Sequence, residues 1–104
     1  MKNKILAIKQ DIENIISPIC LEKFWIDWYG AYDVNPKHLV FWICLISDKM
    51  KTEFKSNTEL LTRLRDLLAI HDYPEQARQS VFIDFESQET VDRESDGNWY
   101  HHFK

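Results

Sequence analysis

Glycine is nearly missing from this sequence, with two residues in 104. That all but excludes a phosphate-cradling loop, which needs glycines so that backbone amides can approach an anion closely. Cysteine is as scarce, and Cys20 and Cys44 lie far apart in apolar surroundings. They form neither the close pair of a zinc site nor the dense framework of a secreted disulfide scaffold, so buried, reduced thiols are expected. There is no basic excess: 13 Lys and Arg face 17 Asp and Glu, for a net charge of −4. A direct nucleic-acid binder would need a basic patch, whereas this balance permits a partner with a basic surface. No apolar run approaches the ~20 residues that span a bilayer, so no membrane association is expected. The N-terminus starts like a signal peptide, but Lys9, Asp11 and Glu13 interrupt it too early. A cytoplasmic location is the expectation.

What is abundant is aromatic and aliphatic side chain. The hydrophobic fraction is 44%, with four Trp, six Phe and four Tyr, which argues against disorder. Residues 1–104 fit a single domain, large enough to bury a core without disulfide or metal support.

Ile5, Ile8, Ile12, Ile15 and Ile16 recur at helical spacing, which predicts a helix over residues 2–17, ended by Pro18. Phe24 to Tyr29 is aromatic and β-branched and predicts a strand, with Trp25, Asp27 and Tyr29 on one face. Leu39 to Ile46 is apolar on both faces and predicts the central strand, antiparallel to the one before it. Ser56-Asn57-Thr58-Glu59 matches a capping box, and the stripe Leu60, Leu61, Leu64, Leu67, Leu68 predicts a second helix ending near His71. Asp72-Tyr73-Pro74 breaks that helix, and Glu75 to Gln79 reads as a connector or short turn. Ser80 to Glu86 alternates, with Val81, Ile83 and Phe85 inward and Asp84 and Glu86 facing water. Ser87 is placed to cap a short helix, Asp96-Gly97 marks a turn, and Asn98 to Phe103 reads as a terminal strand. Such a strand would pair within the chain or across a dimer, leaving monomer and dimer open. The expected fold is α+β: a mainly antiparallel sheet with two helices on one face, in the order α-β-β-α-β(-β). The exposed Trp and Tyr positions on the other face are then a contact surface.

No nucleophile–base motif occurs, so no catalytic residue and no cofactor are assigned. Glu86, Glu89 and Asp92 lack the oxygen-ligand spacing of a calcium loop, and His101 and His102 on a strand would point apart, so no metal site is assigned either. The constellation that stands out is Asp84, Glu86, Glu89, Asp92, Glu94 and Asp96, opposed only by Arg93 and adjacent to Trp99 and Tyr100. Carboxylates speed encounter with a basic partner, and aromatics provide anchors, with Trp25 a further candidate. The plainer alternative is a solvated strand edge and loop with Trp99 tucked into the core.

The stretch Glu86-Ser87-Gln88-Glu89-Thr90-Val91-Asp92-Arg93-Glu94, followed by Gly97-Asn98-Trp99-Tyr100, resembles a signature of small bacterial proteins. Those proteins are similar to the immunity members of toxin–immunity systems, including contact-dependent growth inhibition. The resemblance implies a cytoplasmic, stoichiometric inhibitor that binds a cognate toxin domain, often a nuclease, and covers its basic active site or substrate groove. Asp84, Glu86, Glu89, Asp92, Glu94 and Asp96 would then supply charge complementarity, and Trp25, Trp99 or Tyr100 buried anchors. Neutralising Glu89, Asp92 and Glu94 together would slow association and flatten its salt dependence. The alternative expectation is a small regulatory module whose aromatic sheet face holds a small molecule or peptide in a concave apolar pocket.

Overall fold

The protein is described by a computed structural model, in which residues 1–103 are placed. The chain begins with α1, Lys2–Ile16, whose residues Ile5, Ile8, Ile12 and Ile16 are fully buried, as the isoleucine spacing predicts. Strands β1 (Trp25–Tyr29) and β2 (Val40–Leu45) follow. They pair antiparallel, with Asp27 opposite Trp42 and Tyr29 opposite Val40. Gly30 ends β1 with φ +114°, and a Cβ there would stand 1.9 Å from the carbonyl oxygen of His38, so the turn into β2 requires glycine.

From β2 the chain makes a long helical excursion before rejoining the sheet. Two helices form it, α2 (Asp48–Lys55) and α3 (Thr58–Ile70), and a short 3-10 turn at Glu75–Ala77 leads into β3, Phe82–Ser87. A helical crossover of this length returns the strand in the same direction, and β3 pairs parallel to β2. The sheet is therefore mixed, in the order β1-β2-β3, and the expectation of a mainly antiparallel sheet is corrected. β2 is the central strand, as its sequence predicts.

Helix α2 is missing from the sequence reading because only Met50 and Phe54 mark an inner face among its charged residues. Its presence moves the cap of α3: Asn57 Oδ1, not Ser56, accepts the Leu60 amide at 3.0 Å. Ser56 instead closes α2, with its hydroxyl donating to the Thr52 carbonyl. Beyond β3, α4 (Gln88–Ser95) starts on the buried Ser87, which caps it as the sequence suggests. Asp96 and Gly97 end α4 with positive φ angles, and Asn98 caps α5, Trp99–His102. The expected terminal strand is thus a short helix, which also removes the dimer route through that strand. Among the described residues there are five α-helices and three strands.

One sheet face carries Ile26, Phe41, Ile43 and Phe85 into the core beside α1, α3 and Phe54. The opposite face carries Trp25, Asp27 and Tyr29 from β1, Trp42 and Cys44 from β2, and Phe82, Asp84 and Glu86 from β3. It is not left bare. The Trp42 ring stacks on Phe103 at 4.4 Å, and Trp25 meets Trp99 edge-on at 5.0 Å, so the C-terminal helix lies across this face.

Candidate functional site

The residues singled out in the sequence separate into three groups. Asp84, Glu86 and Glu89 are occupied internally. Asp84 Oδ2 lies 3.5 Å from Lys55 Nζ, and Glu86 Oε1 accepts from Lys51 Nζ at 2.9 Å. The other oxygen of Glu86 lies 2.8 Å from His102 Nε2, whose partner nitrogen lies 3.0 Å from the Ser95 hydroxyl. Glu86 thus joins α2 to the C-terminal helix across β3, with its side chain only 13% exposed. The expectation that Asp84 and Glu86 face water is corrected: helix α2 sits at the β3 edge, and its lysines reach round to that face. Burial raises the Glu86 pKa, but Lys51, His102 and the Ser87 amide outweigh burial and hold it below its ordinary value.

Glu89 has a different structural role. Its Oε1 accepts the Asp48 amide at 2.7 Å, satisfying one of the free N–H groups at the start of α2. Glu22 completes this end, accepting the Ile46 and Ser47 amides at 3.0 and 2.9 Å. Asp48 itself is the centre of a polar knot. Its Oδ1 accepts the hydroxyls of Ser87 and Thr90, each at 2.5 Å, and its Oδ2 accepts from Arg93 at 2.9 Å. Hydrogen bonds from Ser87, Thr90 and Arg93 hold the Asp48 carboxyl well below the usual carboxylate range. Lys51 also donates to Thr90 Oγ1 at 2.6 Å. Sequence reasoning missed Asp48, Lys51 and Glu22 because each sits far along the chain from its partners; the signal available was the polar Ser87-x-x-Thr90-x-x-Arg93 spacing, which lines one helix face.

Asp92, Glu94 and Asp96 form the second group and are exposed. Asp92 accepts from the Gln88 amide at 2.9 Å, within α4. The chain runs from Asp96 through Gly97 and Asn98 into Trp99 and Tyr100.

The aromatics are the third group. Trp99 is half-buried: its ring packs on Trp25, and its indole N–H donates to Gln88 Oε1 at 2.7 Å. Trp25 is half-buried beneath it, whereas Tyr100 is 75% exposed. Together Asp27, Trp28, Tyr29, Trp99, Tyr100 and Phe103 surround an open hollow of about 510 Å³. The Tyr29 hydroxyl at its margin accepts the Trp42 indole N–H at 2.8 Å. Asp27 faces Cys44, whose thiol lies 3.9 Å from Asp27 Oδ2. Burial, reinforced by the Asp27 charge, pushes the Cys44 thiol far above its ordinary pKa, so it stays protonated as a weak donor.

The structure therefore packs Trp25 on Trp99, places Trp99 and Tyr100 at one hollow, and leaves the six carboxylates divided between internal bonds and the outer side of the C-terminal segment. No group of three or more His, Cys, Asp or Glu side chains suited to hold a metal occurs among the described residues, and no helix among them is long and apolar enough to cross a membrane. No family model, curated protein or solved structure matches the chain.

Proposed function

We propose that the protein is a non-catalytic, cytoplasmic immunity protein that binds a cognate bacterial toxin domain, a nuclease with a basic groove, and occludes that groove. The observation that carries this reading is the arrangement at the C-terminal end. Exposed Asp92, Glu94 and Asp96 lead directly into an aromatic hollow walled by Trp99 and Tyr100. A basic groove, built for a polyanion, is attracted by the carboxylates, and the hollow offers a place for one inserted side chain. The contact surface is narrower than the full run of acids, because Asp84, Glu86 and Glu89 are committed to Lys55, Lys51 and the α2 amide.

The test is capture of the toxin domain by the purified protein, followed by protection of cells that express the toxin. Converting Asp92, Glu94 and Asp96 to the amides should lower the association rate about tenfold at low salt and flatten its salt dependence, without loss of stability. Glu89 is left intact in this variant, since its carboxylate accepts the Asp48 amide at the start of α2. Unchanged association kinetics would sink the electrostatic part of the reading, and absence of any protection would sink the whole of it.

A second reading is favoured by the hollow itself: a regulatory module that holds a small molecule or peptide. At about 510 Å³ with mainly aromatic walls and one carboxylate, it falls in the size range of ligand pockets. A ligand retained by the purified protein in the absence of any toxin would favour this reading over inhibition.

A further inference from the structure

Several carboxylates are paired with cations inside the fold. Asp11 pairs with His71, Asp84 with Lys55, Glu86 with Lys51 and Asp48 with Arg93. Asp27 has no Lys, Arg or His partner among the described residues; what meets its Oδ2 is the Cys44 thiol at 3.9 Å. It is exposed, and it is the charged member of a hollow walled by the rings of Tyr29, Trp99, Tyr100 and Phe103; Trp28 borders it only along the strand, because its ring turns to the other face beside Tyr32. Indole, phenol and phenyl faces carry negative quadrupole potential, so rings and carboxylate attract the same kind of guest, a cation with an apolar stem.

The strand that forms the floor supports a guest carried on a polypeptide. β1 is at the edge of the sheet, paired to β2 on one side, and among the described residues no other backbone group pairs with Trp25–Tyr29. An extended segment laid along that edge can form main-chain hydrogen bonds while every second side chain turns toward the hollow. A second copy of this chain does not fit the role through its own β1, because Trp-Ile-Asp-Trp-Tyr brings another carboxylate and no cation.

We infer that the hollow at Asp27 receives an arginine or lysine side chain from an extended segment of a partner protein. The guanidinium or ammonium lies against the aromatic walls and pairs with the Asp27 carboxylate, and the partner's backbone runs along β1. This assignment rests on the reading of the chain as a protein binder, but its test needs no toxin.

The probe is the peptide acetyl-Val-Thr-Arg-Thr-Val-amide, titrated into isotopically labelled full-length protein and followed by amide and indole N–H shifts. Saturable shifts at Asp27, Trp28, Tyr29 and the Trp99 indole are expected. Replacing arginine by its neutral isostere citrulline should weaken binding about tenfold, and so should Asp27→Asn, which keeps the shape of the side chain. Tyr100→Ala removes an exposed wall without touching the core, so a loss of about fivefold there tests the hollow even if Asp27→Asn perturbs folding. Equal affinity for the citrulline peptide overturns the assignment, as does full affinity in both variants or shifts confined to another surface. A chain that binds the arginine peptide yet fails to protect cells from toxin keeps this assignment and loses the immunity reading. A chain that protects cells fully as Asp27→Asn, with the peptide silent, does the reverse.

Discussion

Replacing Thr90 by valine isolates the polar knot that the C-terminal motif builds. Valine keeps the shape of threonine and removes only the hydroxyl, and the side chain lies at a position 4% exposed, so no surface contact changes. That hydroxyl donates to Asp48 Oδ1 at 2.5 Å and accepts from Lys51 Nζ at 2.6 Å. A hydrogen bond to a charged group contributes about 1.5–3 kcal/mol net. Losing two would cost up to about 6 kcal/mol if both partners were stranded. They are not: Asp48 keeps Ser87 and Arg93, and Lys51 keeps Glu86. The extra buried methyl also returns about 1 kcal/mol. The expected loss is therefore about 2–3 kcal/mol, equivalent to a fall of roughly 10–20 °C in Tm for a domain of this size. Urea unfolding followed by Trp fluorescence measures it, and a double-mutant cycle with Asp48→Asn should show that the two positions are coupled rather than additive. A loss below about 0.5 kcal/mol, with no coupling, would refute the claim that this motif is chiefly a structural device.

Truncating the aromatic anchor, Trp99→Ala, should cost about 2–4 kcal/mol, because the ring is half-buried against Trp25 and Phe103 and its N–H bonds to Gln88. Limited proteolysis should then release the C-terminal residues well before the sheet is cut; a tail as resistant as in the parent chain would contradict its packing. In acid, both Glu86 and Asp48 have pKa values lowered by folding, so their stabilisation is complete above the unfolded carboxylate pKa of about 4 and is lost as pH falls through the folded values. Urea midpoints should stay level from neutral pH to about 5 and drop steeply below about 4. In Glu86→Gln that drop should be shallower, and an identical profile in the variant would show that Glu86 carries no linkage.

The sequence revealed elements wherever one side-chain period dominated. The isoleucines of α1, the two-sided apolar run of β2 and the alternation of β3 each correspond to the element found, because burial of those side chains governs the local backbone. Two elements escaped for opposite reasons. α2 has too few apolar residues to show a period; Ser47 caps it, Glu22 and Glu89 accept the amides around its start, and Phe54 packs against Phe85. The C-terminal Trp-Tyr-His-His-Phe has strand-like composition, but β3 lies at the sheet edge with α2 beside it, and packing across the open face buries Trp99 and Phe103 better than a fourth strand. The direction of β3 was legible even without α2: the helix expected between β2 and β3 already makes that connection a helical crossover, which pairs the strands in parallel.

The candidate site follows from this second miss. As a strand, the tail would have extended the sheet and left Trp25 and Trp42 as a flat aromatic face. As a helix, it covers both rings and raises Trp99, Tyr100 and Phe103 above β1, and a hollow forms between the tail and that strand. Trp99 therefore acts in both capacities left open by the sequence, pinning the tail through Trp25 and Gln88 while walling the hollow. Its removal would lower stability and binding together, and so could not tell interface from fold. Tyr100 can: at 75% exposed it shares the hollow without supporting the core, so a loss of partner affinity at unchanged urea midpoint in Tyr100→Ala would assign the hollow to recognition.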